Sequence, residues 1–145
     1  MLRKQRGGLP FDEEDEGVIS GAIGRSPFMR TQMAVVENGR ESKTKWKIRE
    51  RYRFGYLLDI ELLTGRTHQI RVHMNHVGSG VVGDSVYGNF ETFPDEVLKI
   101  AKRFGRQALH AKSLTFLHPQ DKKPCTFTSP VPDDFKELIS YFKEH

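Results

Sequence analysis

Long apolar runs are missing from this sequence. None approaches the roughly 18 residues that cross a bilayer, so no membrane span is predicted. A secretory leader is not legible: the basic Met1–Arg6 stretch is followed by Gly7 and Gly8 instead of an apolar segment. The acidic run Asp12-Glu13-Glu14-Asp15-Glu16 argues against a transit peptide, which should be poor in acids. Cysteine is nearly absent. Cys125 stands alone, which excludes an internal disulfide and any zinc site built from several thiolates. Apolar residues are also scarce, at 37% against a usual 45–50% or so, so the core is expected to be modest. Ten Phe, four Tyr and one Trp supply its bulk. A chain of 145 residues fits one domain. The expectation is a soluble protein of a reducing compartment, cytoplasmic, with an organelle left open.

Charge is present and uneven. The net charge is +4, yet residues 25–73 hold eleven Lys/Arg against five acids, a local excess of +6. Such a block can steer a nucleic acid and contact its phosphates. An ordinary solvated strand face, with Lys and Arg guarding an edge, would look the same.

Periodicity divides the chain. Residues 1–19 are rich in charge and glycine and read as a flexible acidic N-terminal tail, because few apolar groups are there to offset ordering entropy. Residues 20–145 carry the folded part. Thr31–Val36 reads as a short strand, and Lys43–Arg49 alternates polar and apolar side chains, as a half-buried strand does. Phe54, Tyr56, Leu58, Ile60 and Leu62 give the clearest period of two. Thr67 is a candidate N-cap for a helix whose buried stripe would be Ile70, Met74 and Val77, with Gly78 as terminator. A second helix opens at Pro94 and closes at Gly105; a third opens at Pro132 with Phe135, Leu138, Ile139 and Phe142 on one face. Ser113–His118 and Cys125–Thr128 read as strands joined by a turn-rich link. Strands joined by short turns predict an α+β domain with a largely antiparallel sheet. Cys125 is expected to be an inert core residue, and Trp46 a half-buried strand aromatic.

The densest polar cluster is Thr64-Gly65-Arg66-Thr67-His68-Gln69-Ile70-Arg71-Val72-His73-Met74. Read physically, it is a tight turn feeding a helix N-terminus, where free N–H groups and the positive dipole end favour an anion. Arg66 can add a phosphate contact, and Arg71 can pair in bidentate fashion with a carboxylate or phosphate. His68, Gln69 and His73 are further donors. A capped structural helix with a wet polar face is the competing reading. In Val81-Val82-Gly83-Asp84-Ser85-Val86-Tyr87-Gly88, a glycine-bounded Asp84 more often bonds its own turn than performs catalysis. The histidines show no metal-ligand spacing, so no metal site is predicted.

The run TGRTHQIRVHMNHVGSGVVGDSVYGN, residues 64–89, resembles the RluA/RluD type of RNA pseudouridine synthase. Arg106–Ala111 (RQALHA), Leu114–Pro119, Phe127–Pro132 and Arg30–Val35 extend the resemblance over about residues 20–145. It implies the pseudouridine synthase fold, a mostly antiparallel mixed sheet flanked by helices, here in an incomplete version that is the C-terminal portion of the catalytic domain. It also implies isomerisation of uridine to pseudouridine in RNA, with ribosomal RNA as the expected partner and neither metal nor organic cofactor. The family's nucleophilic aspartate lies in an HRLDxxTSG motif, and no HRLD occurs in this chain. The resemblance then makes Arg71 the arginine that pairs with that aspartate, which the 145 residues do not carry. Arg66, His68 and Gln69 would hold phosphates or the turn near the pocket and are candidate RNA contacts, and Lys43, Lys45, Lys47 and Arg49 would bind the RNA backbone. Leu109 would line the uracil pocket, with core packing as the alternative. The chain alone is expected to be inactive. Other readings are a non-catalytic RNA-binding module, or a partial chain that self-associates or recruits a complementing chain through an open sheet edge.

Overall fold

Two strands written in the period of two form the centre of the architecture. In the computed structural model, which describes residues 2–3, 9–88 and 93–145, β1 spans Leu2–Arg3, β2 Glu16–Ser20, β3 Ile23–Arg25, β4 Met33–Val35, β5 Lys43–Arg51 and β6 Gly55–Leu62. A four-stranded antiparallel sheet runs in the order β1-β6-β5-β2. Strands β3 and β4 form a separate hairpin. Strand β5 sends Thr44 and Trp46 inward and Lys43, Lys45, Lys47 and Arg49 outward. A bulge between Ile48 and Glu50 ends that strict alternation in the β5–β6 pairing. Beyond Tyr56, the outer side of β6 has no partner strand among the described residues.

The tail expectation is corrected for the part of it that is described; residues 1 and 4–8 lie outside the described residues. A short helix α1, Pro10–Glu13, follows Leu9 and leads into β2, so no boundary falls at residue 19. Leu9, Phe11 and Ile19 are all buried. Phe11 meets Trp46 edge to face at 4.7 Å, and Trp46 is itself fully buried, not half-buried. Gly17 sits opposite Trp46 because a Cβ there would stand 2.8 Å from the indole. The acids, which made the segment look unfoldable, are held by a neighbour: Arg51 donates to the carbonyls of Phe11 and Glu14 and to the Asp15 carboxylate. The Tyr56 hydroxyl donates to Asp12. Three apolar anchors suffice because they dock on a sheet face that already exists.

Helix α2 spans Gln69–His76, α3 Asp95–Phe104 and α4 Asp133–Glu144. Acids in the first turn and lysine in the last turn suit the dipoles of α3 and α4, and Gly105 closes α3 at φ +75°. The expected cap of α2 is corrected: His68, not Thr67, is the N-cap, in the left-handed region at φ 55° and without a side-chain cap bond. Its buried face is also different. Gln69, Val72, His73 and Met74 are buried, and Ile70 and Val77 only partly. Met74 enters the main core with Trp46, Tyr56, Val81, Val97, Phe135 and Leu138; Val72 enters a smaller one with Ile23 and Tyr87. Helix α2 therefore lies between the two cores, with its polar residues in the gap.

The last two strands, β7 (Ser113–Leu117) and β8 (Pro124–Thr128), pair with each other alone. Leu114, Phe116 and Phe127 share one face of this hairpin with Cys125, and the three large side chains are exposed. The rings of Phe116 and Phe127 stack at 5.7 Å. Cys125 is therefore in a half-exposed hairpin and not in a core.

Candidate functional site

Two loops and one helix build the site. Helix α2 presents Arg71 outward from its first turns, between the buried Gln69 and His73. The loop 81–88 returns beneath it. Gly83 shapes that loop: its φ is +80°, and a Cβ would lie 2.0 Å from the Arg106 carbonyl. The close approach lets the Ala108 N–H donate to the Val82 carbonyl, which sets Leu109 beside the loop.

Asp84 is at the centre. Its side chain is fully buried. Oδ2 accepts from Arg71 Nε at 2.8 Å, and Oδ1 accepts from Arg71 Nη2 at 2.9 Å. Oδ1 also accepts from the N–H groups of Val86 and Tyr87, at 3.0 and 3.1 Å. Burial by itself would raise the Asp84 carboxyl. The guanidinium and the two backbone donors outweigh it and hold the group below the usual carboxylate range. The Tyr87 ring lies under the guanidinium, 4.9 Å from Arg71 Cζ. The Tyr87 hydroxyl accepts from the Met33 N–H at 3.0 Å and stands 2.9 Å from His68 Nδ1. Arg71 is thus clamped on one edge and one face. Three of its five N–H donors are not used by Asp84.

The sequence reading expected the acidic partner of Arg71 outside the chain. Asp84 is an acidic partner within it. Asp84 also does what the turn reading predicted, since it accepts from N–H groups two and three residues ahead.

Of the two roles expected for Gln69, the RNA contact is corrected, because the residue is 3% exposed, and it holds the turn instead. Its Oε1 accepts from the Thr64 hydroxyl and the Arg66 N–H, and its Nε2 donates to the Lys43 carbonyl and to Thr44 Oγ1. Thr44 Oγ1 is 2.7 Å from His73 Nδ1, and His73 Nε2 is 2.9 Å from the Gly21 carbonyl. A carbonyl only accepts, so Nε2 carries the proton and Thr44 donates to Nδ1. This chain of bonds ties α2 to β5 and to the β2–β3 turn. His73 is structural, and its imidazole is neutral: burial lowers its pKa from the ordinary value. Protonating Nδ1 would set two donors against each other. Because the unfolded chain takes up the proton more readily, stability rises with pH up to about 6.5 and falls as the pH drops below it. Urea unfolding of the wild-type chain and of His73→Gln at pH 5 and pH 7.5 checks this. The loss at pH 5 should be smaller in the variant, and equal losses would refute the assignment.

The remaining candidates are surface groups. His68 is exposed at the helix start. Arg66 is spent in part on the Glu41 carbonyl, to which Nε and Nη2 both donate. Lys43, Lys45, Lys47 and Arg49 do share an exposed face, but Lys43 pairs with Glu41, Lys45 with Glu61 and Arg49 with Asp59. Three of the four cations of the stripe are thus locally compensated. Leu109 is partly buried against the main core. Tyr87 was missed by sequence reasoning. Its only signal was an aromatic three residues after a glycine-bounded Asp.

This arrangement defines an α+β domain with a partly buried arginine, near the start of a helix, that holds a buried carboxylate. The pattern of the RNA pseudouridylate synthase family matches residues 10–76. The ribosomal large subunit pseudouridine synthase D of Xanthomonas campestris is 43% identical over 132 residues, which cover 88% of this chain and 40% of that protein. Its counterpart in Buchnera aphidicola is 36% identical across 99% of this chain and 47% of its own length. Among solved structures, human RNA pseudouridylate synthase domain containing 1 superposes with a TM-score of 0.67 at 31% identity, over 90% of this chain and 52% of that one. Human RNA pseudouridylate synthase domain containing 4 shares the fold, with a TM-score of 0.71 at 19% identity. The chain is thus similar to RNA pseudouridine synthases along most of its length. It spans between 36 and 47% of the length of the curated relatives it matches.

Proposed function

We propose that this chain is part of an RNA pseudouridine synthase that isomerises uridine in RNA, with ribosomal RNA as substrate. The observation that carries the reading is the clamped Arg71: Asp84 and Tyr87 fix its plane and leave three donors for a second carboxylate. That second group is the family's nucleophilic aspartate, contributed by polypeptide outside these 145 residues. A guanidinium at that point keeps an enclosed carboxylate ionised and aimed. The flipped uridine then sits against it, with Leu109 lining the base and Arg66 and His68 holding the adjacent backbone. Residues 9–145 act as one unit in this reading, the C-terminal portion of a catalytic domain. The protein works in the cytoplasm. Among the described residues, no helix is long and apolar enough to cross a membrane.

The exposed β7–β8 face supports the need for a complement. A two-stranded hairpin is marginal alone, and Leu114, Phe116 and Phe127 stand uncovered on one side of it. The unpaired outer side of β6 is a second place where a further strand fits.

Isomerisation breaks the N1–C1′ bond and forms a C5–C1′ bond, so the C5 hydrogen leaves to water. Tritium release from RNA carrying 5-tritiated uridine therefore reads the reaction. The 145-residue chain should release none. The same chain fused to the aspartate-bearing part of the Xanthomonas relative should release tritium in a time-dependent way. Efficient release by the chain alone would overturn the assignment of the nucleophile, and a well-folded fusion that releases nothing would overturn the function.

A further inference from the structure

The turn that joins β3 to β4 carries the most exposed large apolar side chain described. Phe28 is 92% exposed and Met29 is 52% exposed. Single exposed apolar residues are common on protein surfaces, so exposure alone decides nothing. Three other observations do.

The tip is rigid. Ser26 Oγ accepts from the N–H groups of Phe28 and Met29, both at 3.2 Å. The Ser26 N–H donates to the Gln32 carbonyl, the Gln32 N–H to Met29, and Arg25 Nη1 to the Arg30 carbonyl. The turn is internally bonded, so presenting Phe28 to a ligand loses little conformational entropy. The tip is also cationic. Arg25 and Arg30 flank Phe28, both are exposed, and neither has an acidic partner among the described residues. In this they differ from the compensated Lys43, Lys45 and Arg49 of the stripe. Finally, the turn end of the hairpin adjoins the site, since Met33 pairs with Arg25 at the last rung before the turn. The Met33 N–H is bonded to the Tyr87 hydroxyl, and Tyr87 supports Arg71. Phe28 precedes Met33 by five residues, so it lies within about 17 Å of that point at 3.3 Å per residue.

We infer that the β3–β4 tip is a contact for single-stranded RNA, in which Phe28 stacks on an unpaired base while Arg25 and Arg30 hold flanking phosphates. An aromatic platform between two cations is what a splayed strand needs: the ring accepts any base, and the guanidinium groups meet the backbone. A protein ligand for Phe28 and Met29 gives no use to two uncompensated arginines. The inference rests on the RNA reading above and adds a contact beside the site that holds Arg71.

The test is a fluorescence titration of the full chain with a 12-nucleotide single-stranded RNA bearing a central 2-aminopurine. Phe28→Ala should weaken binding by about 5- to 100-fold and leave the slope of log K against log salt unchanged. Phe28→Trp should bind like the wild type. Arg30→Gln should lower the salt slope by about 0.7, the contribution of one phosphate on a single strand. Circular dichroism and a melting curve establish that each variant is folded. If wild type and Phe28→Ala bind equally well, this inference fails and the RNA reading stands, with a protein partner left as the explanation of the exposed ring. If the wild-type chain binds no RNA at low salt, both fail together.

Discussion

Arg71→Ala, made in a catalytically complete form of this protein, should lower pseudouridine formation by about 100- to 1,000-fold, the scale seen when one preorganised electrostatic contact is removed from a reacting centre. In the proposed role the guanidinium supplies the positive charge that would keep a nucleophilic carboxylate ionised within a protein-lined site. Its plane is set in advance by the bidentate bond to Asp84 and by the Tyr87 ring. Alanine removes the charge and the aim together. Arg71→Lys keeps a charge but not the fork, so it should recover part of the rate and not all of it. RNA affinity should change little, because Arg71 is only 13% exposed and is not a surface phosphate contact. The measurement is kcat from tritium release, well below the melting temperature of each variant, with affinity measured separately. Unchanged turnover in Arg71→Ala would remove the central assignment.

Asp84→Ala should cost the fold about 3 kcal/mol, the lower end of the range for breaking a buried ion pair by deleting one partner. Four hydrogen bonds end on this carboxylate, two from Arg71 and two from the backbone of its own turn. Their loss leaves a charged group with little water around it and two orphaned N–H groups. For a chain of this size the melting temperature should fall by about 10 °C. Asp84→Asn keeps an acceptor for Val86 and Tyr87 but turns its amide donors toward Arg71, so its loss should be intermediate. Thermal melts at pH 7 read the series. A fall of less than about 2 °C in Asp84→Ala would show that the clamp is not what holds the 81–88 loop.

The two substitutions separate function from architecture. Both break the same pair, so both destabilise. Only Arg71 has donors left over to face a further carboxylate. If the proposed role is right, Asp84→Asn should retain far more turnover than Arg71→Ala at matched fractions of folded protein.

Several elements were legible in the residues themselves. Strand β6 is written in its alternation, α3 in its proline start and glycine stop, and α4 in its apolar stripe, because each of these signals is local and acts within one element. The TGRTHQIR and VGDSVYG segments marked the right neighbourhood for the same reason. Residues 9–20 misled. Their acids and Gly17 suggested disorder, and the arginine that satisfies Phe11, Glu14 and Asp15 lies at position 51. Gln69 misled in the opposite direction, since a polar residue at a helix start is exposed by default and this one is buried among partners from β5.

Short-range pattern, then, determined the class of fold and the position of most strands and helices, and the motifs of residues 64–89 carried the family resemblance. Tertiary structure alone decided which acid Arg71 meets, that Tyr87 lies beneath it, that His73 is neutral and buried, and that three cations of the basic stripe on β5 are compensated while the arginines of the β3–β4 tip are not. The physical reason is range. Propensity, capping and periodicity are properties of neighbours along the chain. Hydrogen-bond partners, burial and charge compensation are properties of groups that become neighbours only after the chain has folded.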